Sequence, residues 1–198
     1  TTSVCKTAGT GTDMDFFALA QACAPMVDPK TIAAIVRTES SFQPLAIGIN
    51  GSARLARQPA TKKEATATAK WLIARGYSID MGLAQINSAN LPRMGLSVED
   101  VFDPCKNLNA AGTILQAAYQ RARKAGQDER TSLHSALSAY NTGSFTRGLA
   151  NGYVRKVMGN VTNSNIRPAP VFSPRQTLPQ TISRHAAFTE SVMVYPQQ

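Results

Sequence analysis

The sequence predicts a mainly α-helical domain, on three observations. Apolar residues recur at three- and four-residue spacings, most of these stretches open on a recognisable cap, and strand signals are weak throughout. Asp13 or Thr12 can cap a first helix over about residues 14–24, which Pro25 stops. Asp28 and Pro29 supply an N-cap and an N1 proline for a second helix, in which Ile32, Ile35 and Val36 form one stripe. Thr61-Lys-Lys-Glu64 is a capping box, and the helix it opens ends at Gly76 with Trp71, Leu72 and Ala67 or Ala74 inward. Asp103-Pro104 starts a long helix to about residue 125, whose Cys105, Leu108, Gly112, Leu115 and Tyr119 step along one face, so it is expected at the centre. Thr131 is expected to cap another, with Leu133, Ala136, Leu137 and Tyr140 inward, and a short basic helix over about residues 152–158 closes the domain. Between these lie loop-like stretches at 43–60 and 77–90, the second holding the Gly-containing apolar segment Met81-Gly-Leu-Ala-Gln-Ile-Asn87.

At 198 residues and 43% hydrophobic, the chain is expected to form one domain with a full-sized core, without any apolar run long enough to span a bilayer. It starts at Thr1 with neither an initiator Met nor an apolar targeting segment, so a processed chain whose signal peptide is already removed is expected. Residues 1–12 read as a flexible arm and residues 13–159 as the folded domain. Residues 160–198 read as a Pro-rich tail or linker, since five of the eleven prolines fall there. The net charge of +9 admits an acidic polymer, a membrane surface or nucleic acid as partner. Lys and Arg nevertheless stand singly or in pairs, with no basic patch interleaved with aromatics, so nucleic-acid binding is not expected. Cys5, Cys23 and Cys105 form no CxxC pair, and His134 and His185 are the only histidines, so neither a metal site nor a cofactor is expected. On spacing alone, three reduced thiols and a single bridge both stay open.

One acidic residue sits where a solvated carboxylate should not. Glu39 falls seven residues after Ile32, four after Ile35 and three after Val36, on the core-facing side of its helix. It also lies in the last turn, near the negative end of the macrodipole. Partial burial and the dipole both disfavour its ionised form, and a carboxylic acid kept neutral near pH 7 is what protonation of a leaving sugar oxygen requires. An ordinary helix-end glutamate bonded to a backbone amide fits the same pattern.

Three short segments, Glu39-Ser40-Ser41-Phe42, Gly82-Leu83-Ala84-Gln85-Ile86-Asn87 and Ala139-Tyr140-Asn141-Thr142-Gly143, occur in an order and at separations that resemble one family. Together they are similar to the soluble lytic transglycosylase domain, the goose-lysozyme-like branch of the lysozyme superfamily, over about residues 13–159. Asn87-Ser-Ala-Asn-Leu91 and Phe102-Asp-Pro-Cys105 narrow the likeness to the transglycosylases associated with type IV secretion and conjugation. Ala84 departs from the Met that many members carry, which removes a flexible contact at the cleft wall.

The resemblance implies a lysozyme-like single domain with little or no β structure, located in the periplasm and acting on peptidoglycan glycan strands. It implies Glu39 as the single catalytic acid/base, and Ser40, Gln85, Asn87, Tyr140 and Asn141 as substrate-binding residues, Asn141 chiefly holding the loop. A backward hydrogen bond from Ser40 to a helix carbonyl stands as the alternative for that hydroxyl. It further implies a Cys23–Cys105 bridge, which leaves Cys5 over. Asp80, and more remotely Glu99, are the carboxylates that a hydrolytic lysozyme would use instead, and a local turn or ion-pair role is preferred for Asp80. The expected reaction is cleavage of the β-1,4 bond between N-acetylmuramic acid and N-acetylglucosamine, giving 1,6-anhydromuramyl ends. The alternatives are a hydrolysing muramidase and a non-catalytic wall-binding module. A monomer is expected, with components of a type IV secretion system as protein partners.

Overall fold

A computed structural model of the chain describes residues 16–162 and 194–196. The expected arm at 1–12, Cys5 and most of the tail lie outside the described residues. The elements run α1 (Phe16–Cys23), α2 (Pro29–Ser40), β1 (Ile47–Ile49), β2 (Ala53–Leu55), α3 (Lys62–Ala74), β3 (Ile79–Met81), β4 (Ile86–Asn87), α4 (Leu91–Met94), α5 (Pro104–Lys124), α6 (Glu129–Thr142), α7 (Arg147–Ala150), α8 (Tyr153–Thr162) and β5 (Val194–Pro196). The fold is mainly α, as in lysozyme-like domains.

α2, α3 and α5 begin where the caps place them, while Thr12 and Asp13, the expected caps of α1, lie outside the described residues. Asp28 accepts hydrogen bonds from the Lys30 and Thr31 amides, and Thr61 accepts from the Glu64 amide while Glu64 reaches back to Ala60. Asp103 caps α5 through the Lys106 amide. The start of α6 corrects an expectation. Its cap is Asp128, three residues before Thr131, and Thr131 donates to it through both its amide and its hydroxyl. The Asp128 carboxylate offers a charged acceptor with two separate oxygens, one for each Thr131 donor, at the positive end of the helix, where a neutral Thr hydroxyl is the weaker acceptor.

α5 occupies the centre, with Leu108, Ala111, Gly112, Leu115, Ala118 and Ala122 buried along one face against α1 and α6. Gly112 is required by close approach, because a Cβ there would lie 2.7 Å from Met26 Sδ and 3.1 Å from Ala24 Cβ. Ile32, Ile35 and Val36 of α2 are fully buried, and each contributes roughly 1.5–3 kcal/mol by leaving water. α8 packs along α2 and continues to Thr162, past the expected end of the domain.

Short strands occupy the stretches that read as loops. β1, β3 and β4 form an antiparallel sheet in which Asp80 pairs with Gly48 on one side and Asn87 on the other. β5 pairs antiparallel with β2. Three residues are too few for a period of two to register in the sequence.

The turn joining β3 to β4 is held from beneath by Asn107, a buried polar residue on the inward face of α5. Its amide donates to Met81 O and Val101 O at 3.0 and 2.7 Å, and its carbonyl accepts from the Ala84 amide at 2.8 Å. Gly82 is in the left-handed region (φ +77°), and a Cβ on it would lie 2.3 Å from Asn107 Nδ2, so the turn and the helix demand glycine there.

Cys23 and Cys105 are bridged, tying α1 to the first turn of α5 across 82 residues of sequence, with the Cα atoms 5.1 Å apart. Replacing both by Ser should lower unfolding free energy by about 2–4 kcal/mol, measured by urea titration. Asn107→Ala should cost about 2–4 kcal/mol in the same assay, since it leaves three buried backbone groups without partners.

Candidate active site

A cleft of about 760 Å³ runs across one side of the domain. Glu39, from the end of α2, shares the cleft with Asp80 and Asn87 of the small sheet and Gln85 of the β3–β4 turn, with Tyr140 and Asn141 from the end of α6 also in its lining. The opposite side is built by α4 and α5, through Met94, Thr113, Ile114, Ala117, Gln120 and the cations of these helices.

The Glu39 carboxyl is half-buried. Burial pushes its pKa up from an ordinary 4.5 to about 7, and the nearby Asp80 charge pushes in the same direction. A hydrogen bond from Tyr153 and the Lys156 charge pull it down, without offsetting the burial. Tyr153 Oη donates to Glu39 Oε1 at 2.5 Å, so the carboxyl has a fixed orientation as well as a raised pKa. Burial and the Glu39 charge hold the Tyr153 hydroxyl well above its usual value, so it remains a donor at any working pH.

Asp80 is also raised above the usual carboxylate range, by burial. It accepts from Asn87 Nδ2 at 2.7 Å, and hydrogen bonds from Asn87 and Asn50 counter part of that rise. This is a local bonding role on β3, on the same cleft as Glu39. Asn87 also caps the following turn by accepting from the Ala89 amide.

The hydroxyls of Ser40 and Tyr140 are committed to backbone. Ser40 Oγ lies 2.6 Å from Leu83 O and 3.2 Å from Val36 O, so the backward bond exists beside a shorter long-range one. Tyr140 Oη donates to Ala84 O at 2.7 Å. With Asn107, these side chains from α2, α6 and α5 clamp three residues of the turn, Met81, Leu83 and Ala84. The clamp delivers Gln85 to the cleft in a left-handed conformation (φ 48°), its amide donating to Ala46 O and Gly82 O at 3.1 and 2.9 Å. Asn141 accepts from Asn151 and so ties the end of α6 to the start of α8.

The three segments singled out in the sequence therefore meet in space, because the turn in the second is bonded by the first and the third. Tyr153 and Asn107 escaped the sequence reading. Tyr153 lies on the apolar face of an amphipathic helix, where it reads as core, and Asn107 is a lone polar residue on an apolar stripe. Only the second departure from pattern is a usable signal.

The transglycosylase SLT domain family matches residues 16–162. The type IV secretion system protein virB1 of Brucella suis is 44% identical over 165 residues, covering 79% of this chain and 68% of that protein. The namesake of Brucella abortus is 44% identical over 163 residues, covering 79% and 66%. Protein virB1 of Agrobacterium fabrum is 42% identical over 143 residues, covering 72% and 58%. The chain thus spans about two thirds of the Brucella relatives and less of the Agrobacterium one. No solved structure matches the chain significantly. With the whole described domain matched and the three motif segments converging on one cleft, the chain belongs to the transglycosylase SLT domain family, as a lytic transglycosylase.

Proposed function

We propose that the domain cleaves the β-1,4 bond between N-acetylmuramic acid and N-acetylglucosamine and leaves 1,6-anhydromuramyl ends, with Glu39 as the only acid/base. The observation that carries this reading is a cleft carboxyl whose pKa lies near 7 and whose orientation is set by Tyr153. Neutral Glu39 donates its proton to the bridging oxygen, which departs as the glucosamine 4-hydroxyl. The substrate's own acetamido oxygen stabilises the positive charge at the muramyl anomeric carbon. Glu39, now ionised, takes the proton of the muramyl 6-hydroxyl as that oxygen attacks the anomeric carbon, and the neutral acid is restored.

Gln85 and Asn87 line the cleft with side-chain N–H groups already bonded within the protein, so they meet sugar hydroxyls and acetamido N–H groups through the lone pairs left on their carbonyl oxygens, while Tyr140 forms part of the wall and Asn141 holds its edge. Ser40 acts as a positioning residue through Leu83, since its proton is engaged by that carbonyl. Residues 13–159 form the catalytic unit, with residues 1–12 serving as an arm and 160–198 as a tail, from which β5 pairs with β2. The printed names of the Brucella relatives support a role in type IV secretion, in which the enzyme opens the periplasmic wall locally for assembly. A net charge of +9 suits residence on an anionic wall. Among the described residues no helix is long and apolar enough to cross a membrane.

A second reading follows from Asp80, which shares the cleft and whose charge reaches Glu39. There Asp80 assists water and the enzyme is a hydrolysing muramidase. Digestion of purified peptidoglycan in ¹⁸O-water separates the two. The proposed mechanism gives non-reducing, unlabelled muramyl ends that weigh one water less than hydrolysis fragments. Labelled reducing ends, with activity lost in Asp80→Asn, would establish hydrolysis.

Glu39→Gln should reduce cleavage about 10²–10⁴-fold or more while the fold is retained. Wild-type kcat/KM should fall tenfold per pH unit above about 7, because only protonated Glu39 can donate. The same shift affects stability. The unfolded chain releases this proton near 4.5 and the folded chain only near 7, so wild-type stability declines across that window. Glu39→Gln should remove the decline and be about 1–3 kcal/mol more stable than wild type at pH 8, with no gain at pH 4.

A further inference from the structure

The cleft is electrically lopsided. Its only acidic lining residues, Glu39 and Asp80, lie on the side of α2 and the sheet. Arg93 of α4 and Arg121 and Lys124 of α5 line the other side, all three exposed. Among the described residues none of the three has a carboxylate partner; the ion pairs there are Arg57–Glu64 and Lys106–Asp100. Local structure accounts for a neighbour but not for them. Arg123 donates to Gln127 O at 2.7 Å and closes the end of α5, whereas Arg121 and Lys124 sit on the cleft stripe. The Arg121 guanidinium lies 5.8 Å from the Phe145 ring centre, a contact that holds it in place and leaves its charge free.

These cations are spread along the cleft. Arg93 shares the end near Thr113 with a second hollow of about 570 Å³, which has Arg93, Met94 and Thr113 in common with the cleft and is lined by Lys106 and Asn109 among others. Arg121 and Lys124 lie 8 and 11 residues beyond Thr113 on the same helix, about 12 and 16 Å along its axis. A single small anion cannot reach both ends. A polymer bearing repeated anionic branches can, and the side hollow at Arg93 gives a branch somewhere to leave the cleft.

We propose that Arg93, Arg121 and Lys124 form a subsite for the carboxylates of the acidic peptide stems carried on the lactyl groups of muramyl residues, so that the enzyme prefers peptide-bearing strands to bare glycan. This rests on peptidoglycan being the substrate of the cleft. It makes the α4–α5 side a specificity determinant, separate from the groups that handle the proton.

The test uses the full chain and soluble glycan strands prepared in two forms, with stems intact and with stems removed by an amidase, which leaves one lactyl carboxylate on each muramyl residue in place of the several carboxylates of a stem. Binding is read by fluorescence anisotropy, and cleavage in parallel. Wild type should bind stem-bearing strands about 10-fold more tightly than bare ones, a preference that shrinks as salt rises. Arg93→Gln/Arg121→Gln/Lys124→Gln should lose that preference and bind bare strands as wild type does. Equal binding of the two strands by wild type, or an equal loss on both in the triple variant, would overturn the subsite. Failure of the catalytic reading looks different: cleavage would survive in Glu39→Gln while the binding preference stood.

Discussion

In the proposed mechanism the chemistry of the cleft depends on how one carboxyl is held. Glu39 ends α2 on the same stripe as Ile32, Ile35 and Val36, so the helix that buries those side chains also draws its carboxyl out of water. Burial alone would leave an unconstrained neutral acid. The hydrogen bond from Tyr153 fixes it, and α8 can deliver that hydroxyl only because it packs along α2. The two effects oppose each other in pKa, and desolvation wins, leaving a value near neutrality where one group can serve as acid and then as base. A stronger donor or a closer cation would leave the carboxyl ionised and unable to begin.

The second constraint is the clamped turn opposite. Its backbone groups are satisfied by side chains of α2, α5 and α6, so Ser40, Asn107 and Tyr140, far apart in sequence, together fix one wall. Left-handed Gln85 is tolerated at the end of this turn because the surrounding bonds over-determine it. The same bonds explain why residues that look like sugar ligands in sequence, Ser40 and Tyr140, have hydroxyl protons directed at carbonyls. These bonds tie the turn to α2 and α6.

The helical frame was legible in the sequence because caps and apolar periods agree, as at Asp28-Pro29 and Asp103-Pro104. Where two caps compete within one turn, Asp128 against Thr131, periodicity could not choose, and the stronger acceptor took the position. The sheet that carries Asp80 and Asn87 was illegible because its strands are two or three residues long. Glu39 stood out as a charge on an apolar stripe. Tyr153 did not, because an aromatic on such a stripe is ordinary, and only the fold brings it to a residue 114 positions away. The Cys23–Cys105 bridge followed from family likeness rather than spacing, and the structure contains it.

Direct titration of the Glu39 carboxyl carbon by ¹³C NMR, assigned by comparison with Glu39→Gln, tests the central claim without any assumption about substrate. A midpoint near 7 is expected, well above an ordinary 4.5. A midpoint at or below 4.5 would mean that the carboxyl is ionised under working conditions, and Glu39 could not be the acid that starts the reaction.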